Sequence, residues 1–320
     1  MRFVPWQEER LEQLVALWNK EIGKKFPMQT ELFKQNSFYD ENISIEGSRI
    51  VVDTEDNDNL VGFVIVKYLK EKTEVNMRDD VGWIQAILVD SAYRNKGIGT
   101  QLLNHAEAIL KQKGLTEILL GRDMYQYFPG IPSEQDETAH WFEKRGYKYV
   151  GTEVDLSKTF DELEDVHLPN IPNVEFSILQ EEEKEDFLAF LHRCFPGRWE
   201  LEAIHYFNKG GTGREFVVEK EDGNIIGFCR INDANSPIIM GNMNWAPLFE
   251  GNVGGVGPLG VDAERRKHGY GLAVVQAGIA FLRERGIDHI VIDWTGLIEF
   301  YQKLGFDVWK TYKSYKKEML

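Results

Sequence analysis

Two hexapeptides, Arg94-Asn95-Lys96-Gly97-Ile98-Gly99 and Arg266-Lys267-His268-Gly269-Tyr270-Gly271, share the pattern R-x-x-G-x-G and lie 172 residues apart (266 minus 94). Each follows a strand-like run, at 81–89 and 256–261, and each opens a stretch with one apolar face at helical spacing. In the first copy that face carries Ile98, Leu102, Ala106 and Ile109; in the second it carries Leu272, Val275, Ile279 and Leu282. One motif recurring in one context marks a duplicated α/β unit, since each helix needs a sheet of its own to cover its apolar face.

The remaining elements can be read in the same order on both sides. In the first half strands are expected at 2–6, 49–53, 60–69, 81–89, 117–120 and from 147, with helices at 7–20, from 98 to about 114, and at 137–144. The second half repeats this with strands at 175–178, 216–219, 225–231, 256–261, 290–293 and from 306, and helices at 181–192, 200–207, from 272 and at 297–304. Residues 161–173 between them combine a carboxylate cluster with Pro169 and Pro172 and read as an acidic linker. The expected organisation is an N-terminal domain at 1–160, the linker, and a C-terminal domain at 174–320. Each domain is of the α/β (α+β) class, a central mixed, mostly antiparallel sheet flanked by helices.

Composition narrows the function classes. Lys and Arg number 37 against 52 Asp and Glu, and a net charge of -15 argues against a nucleic-acid partner, which needs a basic face. No apolar run approaches the ~20 residues of a membrane span. The first residues lack the apolar stretch and small-residue cleavage site of a secretory signal, so a cytoplasmic location with no membrane partner is expected. Cys194 and Cys229 have no metal-ligand spacing and are expected as buried free thiols; with the seven histidines scattered, no metal is expected.

A helix N-terminus offers unpaired N–H groups and the positive end of a dipole, so each loop is a ready site for a pyrophosphate. The glycines allow the left-handed backbone in which such N–H groups converge, and Arg94, Lys96, Arg265, Arg266 and Lys267 add positive charge. A dinucleotide-binding fold is the competing reading, with Glu117 near the place of its ribose-binding carboxylate. Leucines or a valine at 102, 272 and 274 stand where its third glycine belongs, and no G-K-[ST] follows for a P-loop.

The loops and their surroundings resemble the Gcn5-related N-acetyltransferase (GNAT) superfamily, whose acetyl-CoA loop reads Q/R-x-x-G-x-G/A. Further matches are Ile87-Leu88-Val89-Asp90 and Leu259-Gly260-Val261-Asp262 ahead of the loops. The endings Trp141-Phe142-Glu143-Lys144-Arg145-Gly146-Tyr147 and Phe300-Tyr301-Gln302-Lys303-Leu304-Gly305-Phe306 agree as well. The second half also resembles bacterial tandem acetyltransferases through Ile292-Asp293-Trp294-Thr295. The resemblance implies two tandem domains that bind acetyl-CoA as co-substrate. Pantetheine would lie beside a splayed strand, contacting backbone of Leu88, Val89, Leu259 and Val261. The pyrophosphate would lie on Arg94, Asn95, Lys96, Gly97, Ile98, Gly99 and Thr100, and on Arg266, Lys267, His268, Gly269, Tyr270 and Gly271.

The resemblance also implies a tyrosine that protonates the departing thiolate. Aligning the endings puts Tyr301 there in the second half and Phe142 in the first, where Tyr125 or Tyr127 is the substitute; the other reading of Tyr301 is a buried packing residue. The strand carboxylate that deprotonates the amine in the family is replaced by Gln85 and Gly257. Asp293 is the candidate base, with helix capping as its other reading. Residues 122–134 form an insertion specific to the first half, a substrate lid, an interdomain contact or a variable surface loop. The expected activity is N-acetyl transfer to a primary amine of a small molecule or peptide, with the C-terminal domain catalytic. A CoA-binding regulatory or scaffold protein is the alternative, and the oligomeric state stays open.

Overall fold

A computed structural model describes residues 1–161, 164 and 166–319. Of the expected linker, Glu162, Leu163 and Asp165 lie outside the described residues. In chain order the elements are β1 (Arg2–Pro5), α1 (Leu11–Glu21), α2 (Thr30–Phe33), β2 (Arg49–Asp53), β3 (Asn59–Tyr68), β4 (Val81–Val89), α3 (Ile98–Gln112), β5 (Glu117–Leu120), β6 (Ile131–Pro132), α4 (Asp136–Glu143) and β7 (Lys148–Thr159). They continue with β8 (Val174–Ile178), α5 (Lys184–Cys194), α6 (Arg198–Asn208), β9 (Phe216–Glu221), β10 (Asn224–Asn232), β11 (Val253–Val261), α7 (Tyr270–Glu284), β12 (His289–Thr295), α8 (Ile298–Gln302) and β13 (Asp307–Glu318).

The chain divides into two compact units, and the division does not follow chain order. Unit 1 holds Met1–Lys72, Arg78–Glu153 and Thr311–Leu320; unit 2 holds Thr73–Met77 and Val154–Lys310. The end of β7 therefore goes with unit 2, and most of β13 with unit 1. In unit 1 the sheet order is β1-β2-β3-β4-β5 followed by the end of β13, where Lys316 pairs with Leu119 and Lys317 with Ile118. In unit 2 it is β8-β9-β10-β11-β12 followed by the end of β7, where Ile290 pairs with Lys158 and Ile292 with Leu156. Each sheet has one parallel ladder, β4 with β5 and β11 with β12, and is otherwise antiparallel.

Alternation along the exchanged strands explains why they hold where they do, because each sends residues into the core of its host unit. Tyr315 joins Val64, Ile84, Leu102, Leu103 and Leu110 in unit 1. Val154 and Leu156 join Val217, Ile231, Val275, Ile279 and Ile292 in unit 2. The linker is likewise part of unit 2: Val166 and Ile171 pack against that core, and His167 O accepts from Gln276. The first helix starts later than expected, at Leu11, after a 3₁₀ turn at Glu8–Arg10, and the short α2 had no apolar period long enough to announce it. No helix among the described residues is long and apolar enough to cross a membrane.

Candidate active site

Both loops take one conformation. The preceding aspartates, Asp90 and Asp262, each cap a 3₁₀ turn by accepting from the N–H of Ala92 and Glu264 at 3.0 Å, and each is fixed by a cation from a helix of its own unit. Lys20 of α1 reaches Asp90 at 2.6 Å, and Arg193 of α5 reaches Asp262 at 2.5 Å. Asn95 and Lys267 follow at φ 61° and 73°, then Gly97 and Gly269 at φ 82° and 84° as the N-caps of α3 and α7. Only glycine takes that last conformation without strain, and, having no side chain to cap the helix, it leaves the first-turn N–H groups to a ligand. Gly99 and Gly271 pass near the aromatic rings of Trp141 and Phe300.

The loop cations are partly committed. Arg94 donates from Nε to Val89 O (3.0 Å) and pairs with Glu21 (2.5 Å), and Arg266 donates from Nε to Val261 O (3.2 Å). Arg265 pairs with Glu221 at 2.8 Å. Both arginines thus tie the loop back to the strand that precedes it. Lys96 lies 4.7 Å over the Tyr93 ring, Lys267 and His268 are exposed, and Thr100 accepts from Arg145 at 2.8 Å. Glu117 pairs with Lys316 (2.7 Å) and Arg78 (3.0 Å), which explains its carboxylate without a ribose.

Ahead of each loop the parallel ladder ends early. The ladder from β4 to β5 stops at Ile84 and Leu120, and that from β11 to β12 at Gly255 and Val291. At the same points the ladder on the other side carries a bulge, at Gln85 against β3 and at Gly257 and Pro258 against β10. A bulge bends and twists its strand, so each strand leaves its parallel neighbour there and runs on towards the loop paired only on its antiparallel side. Leu88, Val89, Leu259 and Val261 all lie on these free-running ends. In unit 1 the gap is a cleft of about 610 Å³, its mouth included, lined by Gln85, Leu88, Leu120, Phe128, Ile131 and Phe142 among others.

Unit 1 fills the inner end of its cleft. The insertion 122–134 is a fixed wall: Tyr127, Phe128 and Ile131 are buried, and Tyr127 shares a 2.6 Å hydrogen bond with Ser37. Gln85 donates to Tyr125 O (2.7 Å) and to Asn36 O (3.1 Å). Beside it Lys67 is buried between Asp123 (2.6 Å) and Asp40 (2.7 Å). Burial opposes the Lys67 charge, but the two carboxylates outweigh it and hold its pKa above the ordinary value. Neither Tyr125 nor Tyr127 lines the cleft.

Unit 2 assembles titratable groups at the corresponding place. Asp293 sits at a bulge of β12 with its carboxylate against Gly241, where an added Cβ would lie 2.2 Å from Oδ2. Burial and the nearby Asp155 push its pKa up to about 7; Glu202 adds to the shift and Arg198 opposes it. Asp293 caps no helix, for the turn into α8 is held by Thr295, which accepts from Leu297 N–H at 3.0 Å. Tyr301 on α8 is 5% exposed, and burial, with Cys229 and Asp293 in electrostatic reach, pushes its phenol well above the ordinary value. Asn242 covers Gly255 and donates to Gly257 O at 3.4 Å. Asp155, Glu202, Arg198 and the 241–243 turn were missed in the sequence, since no spacing links them. Both cysteines are free, Cys229 buried and Cys194 only half-buried, and among the described residues no cluster of His, Cys, Asp and Glu is placed to hold a metal.

Comparison with known proteins follows the duplication. The acetyltransferase (GNAT) family model matches residues 11–128 and again 184–306. A mycothiol acetyltransferase of Acidothermus cellulolyticus is 27% identical over 70% of this chain and 68% of its own length. One from Thermobispora bispora is 27% identical over 42% of this chain, a match spanning 46% of the relative. Among solved structures, a Gcn5-related glucosamine N-acetyltransferase region of a fungal multi-domain β-N-acetylglucosaminidase superposes on 98% of the chain with a TM-score of 0.86 and 22% identity, covering 38% of that larger protein. A tandem GNAT protein from the clavulanic acid pathway superposes on 99% of this chain and 98% of its own, with a TM-score of 0.68 and 16% identity. With the family pattern present in each half and most of its length matched, the chain belongs to the acetyltransferase (GNAT) family.

Proposed function

We propose that this chain transfers an acetyl group from acetyl-CoA to a primary amine of a small molecule or peptide, and that transfer takes place in unit 2. The observation that carries the reading is the pairing, in each unit, of a strand freed from its parallel neighbour with a glycine-capped helix start at its end. The first-turn N–H groups after Gly97 and Gly269 would receive the pyrophosphate, and the free edges at Leu88 and Leu259 the pantetheine. Unit 1 has this donor apparatus, but its acceptor end is closed by its own loop; unit 2 places ionisable groups there.

In unit 2 the work of the protein is to manage protons. An alkylammonium with pKa about 10.4 is no nucleophile, and Asp293, half ionised near pH 7, is matched to accept its proton. The amine then forms the C–N bond as the C–S bond breaks; Tyr301, held protonated by burial, gives its proton to the thiolate and regains one from the proton that the new amide nitrogen releases. Glu202 and Asp293 make the site favourable for a cationic acceptor before that step.

Two substitutions test the donor sites. Glutamate at Gly97 or at Gly269 puts a side chain and a negative charge where the pyrophosphate would lie, so each variant should lose one acetyl-CoA site in calorimetry. Thiol release over a panel of amines, headed by the acceptor of the mycothiol acetyltransferases, should fall away in Gly269→Glu and persist in Gly97→Glu. Retention of full turnover by Gly269→Glu rules out transfer in unit 2.

A further inference from the structure

The bulge that presents Asp293 is shaped by a residue from the other half of the sequence. Along β12, Ile292 pairs with Leu156 and Thr295 with Val154, so Asp293 and Trp294 together face the single residue Asp155 on β7. Trp294 takes φ +45°, a left-handed conformation that strains a non-glycine residue. Its N–H, turned out of the ladder by that conformation, donates to Asp155 Oδ1 at 3.1 Å. Asp155 is itself only 4% exposed. A buried carboxylate that accepts a backbone donor released by the bulge holds the bulge in place, and with it the aim of Asp293 at Gly241.

We infer that Asp155 is a positioning residue for the transfer reaction: it locks the β12 bulge through Trp294 N–H and sets the ionisation of Asp293 by standing next to it as a second carboxylate. The inference rests on the assignment of Asp293 as the proton acceptor. Among the described residues, the charged and titratable groups that act on Asp293 come from three elements. Asp155 comes from β7, Arg198 and Glu202 from α6, and Tyr301 from α8; the turn Gly241–Met243 contributes none. Arg198 is already shared, donating from Nε to Glu202 at 2.6 Å and lying 4.5 Å over the Trp294 ring. The like charge of Asp155 is thus the neighbour whose removal most alters Asp293. In the first half, the residue at the matching place of its own exchanged strand is Ser314, which donates to Pro129 O (3.0 Å), and the position of Asp293 is taken by Gly121.

The two roles separate in two variants. Asp155→Asn keeps an oxygen for the Trp294 N–H and removes the charge; Asp155→Ala removes both. For Asp155→Asn the midpoint of the kcat/KM rise with pH should fall by about one unit from its wild-type position, with the plateau kept within about threefold. In Asp155→Ala the plateau kcat should fall at least about tenfold at every pH, while the KM for acetyl-CoA stays put. Direct carboxyl titration by carbon NMR, with Asp293→Asn used to assign the resonance, gives the same midpoint without turnover and serves if a variant is too slow to assay. An unmoved Asp293 titration in Asp155→Asn overturns the electrostatic role, and a wild-type plateau in Asp155→Ala overturns the positioning role. Wild-type rates in Asp293→Asn would remove the underlying base assignment instead, so the two failures are distinguishable.

Discussion

At the loops the two units are near copies, with Gly97 and Gly269 at φ 82° and 84° and an aspartate pinned by a helix cation before each. Where the proposed acceptor would enter, the corresponding side chains differ. Unit 1 has Gly121, Ser314 and Phe142 where unit 2 has Asp293, Asp155 and Tyr301, and it has Gln85 bound to its own insertion where unit 2 has Gly257 under Asn242. The backbone demands of a phosphate-binding helix start are strict, because they require specific dihedrals, and two units that meet them must look alike. Amine chemistry sets no such backbone requirement, so side chains there are free to be packing in one unit and, on the proposed reading, proton carriers in the other.

The comparison is broken most severely by removing the strand that unit 1 takes from the far end of the chain. A protein ended after Lys310 loses Tyr315 from the unit 1 core and the partner of β5, and should show one calorimetric transition, that of unit 2, in place of two. Lys67→Met tests the closed end of unit 1 next. It removes the buried cation that Asp40 and Asp123 share, and should destabilise unit 1 by about 3–5 kcal/mol while leaving unit 2 turnover unchanged.

Tyr301→Phe and Phe142→Tyr sharpen the contrast in chemistry. The first should lower kcat by about 10²-fold or somewhat less with acetyl-CoA binding kept, and the second should add no activity. Equal rates in wild type and Tyr301→Phe would leave Tyr301 as a packing residue.

The smallest effect concerns one buried row under the helix start. In unit 1 Val51, Gly62 and Val89 stand side by side across the sheet, and in unit 2 the same places hold Glu219, Gly227 and Val261. Glu219 is fully buried, neither carboxylate oxygen has a hydrogen-bond partner, and burial, with Glu221 nearby, pushes its pKa from the ordinary 4.5 up to about 8. Between those values the folded protein holds a proton that the unfolded chain releases, so stability falls as pH rises through that window and levels off above it. Glu219→Val removes this slope. Its stability gain over wild type should be larger at pH 8 than at pH 5.5, by on the order of 2 kcal/mol, as read from urea unfolding at the two pH values.

What was legible in the sequence follows the same division. Gly97, Gly269 and the helical spacing behind them revealed the loops, because local dihedrals and local periodicity are written locally. The exchange of strands was not legible: β7 and β13 carry the same alternation, which identifies a strand but not the sheet that receives it. Nor was the acceptor end of unit 2, since Asp155, Arg198, Gly241 and Asp293 come from four separate elements and meet only once the sheet is built. Asp293 was singled out from its place at a strand end, without the neighbours that shift its pKa.

The exchange also has a consequence for the order in which the molecule is completed during synthesis. A chain emerging from the ribosome usually finishes its N-terminal domain first. Here all of unit 2, ending at Lys310, is translated before the strand that closes unit 1. The unit that starts first therefore matures last. Until then, β5 of the nascent unit 1 presents an unpaired edge, the kind of surface on which newly made proteins aggregate or are held by chaperones.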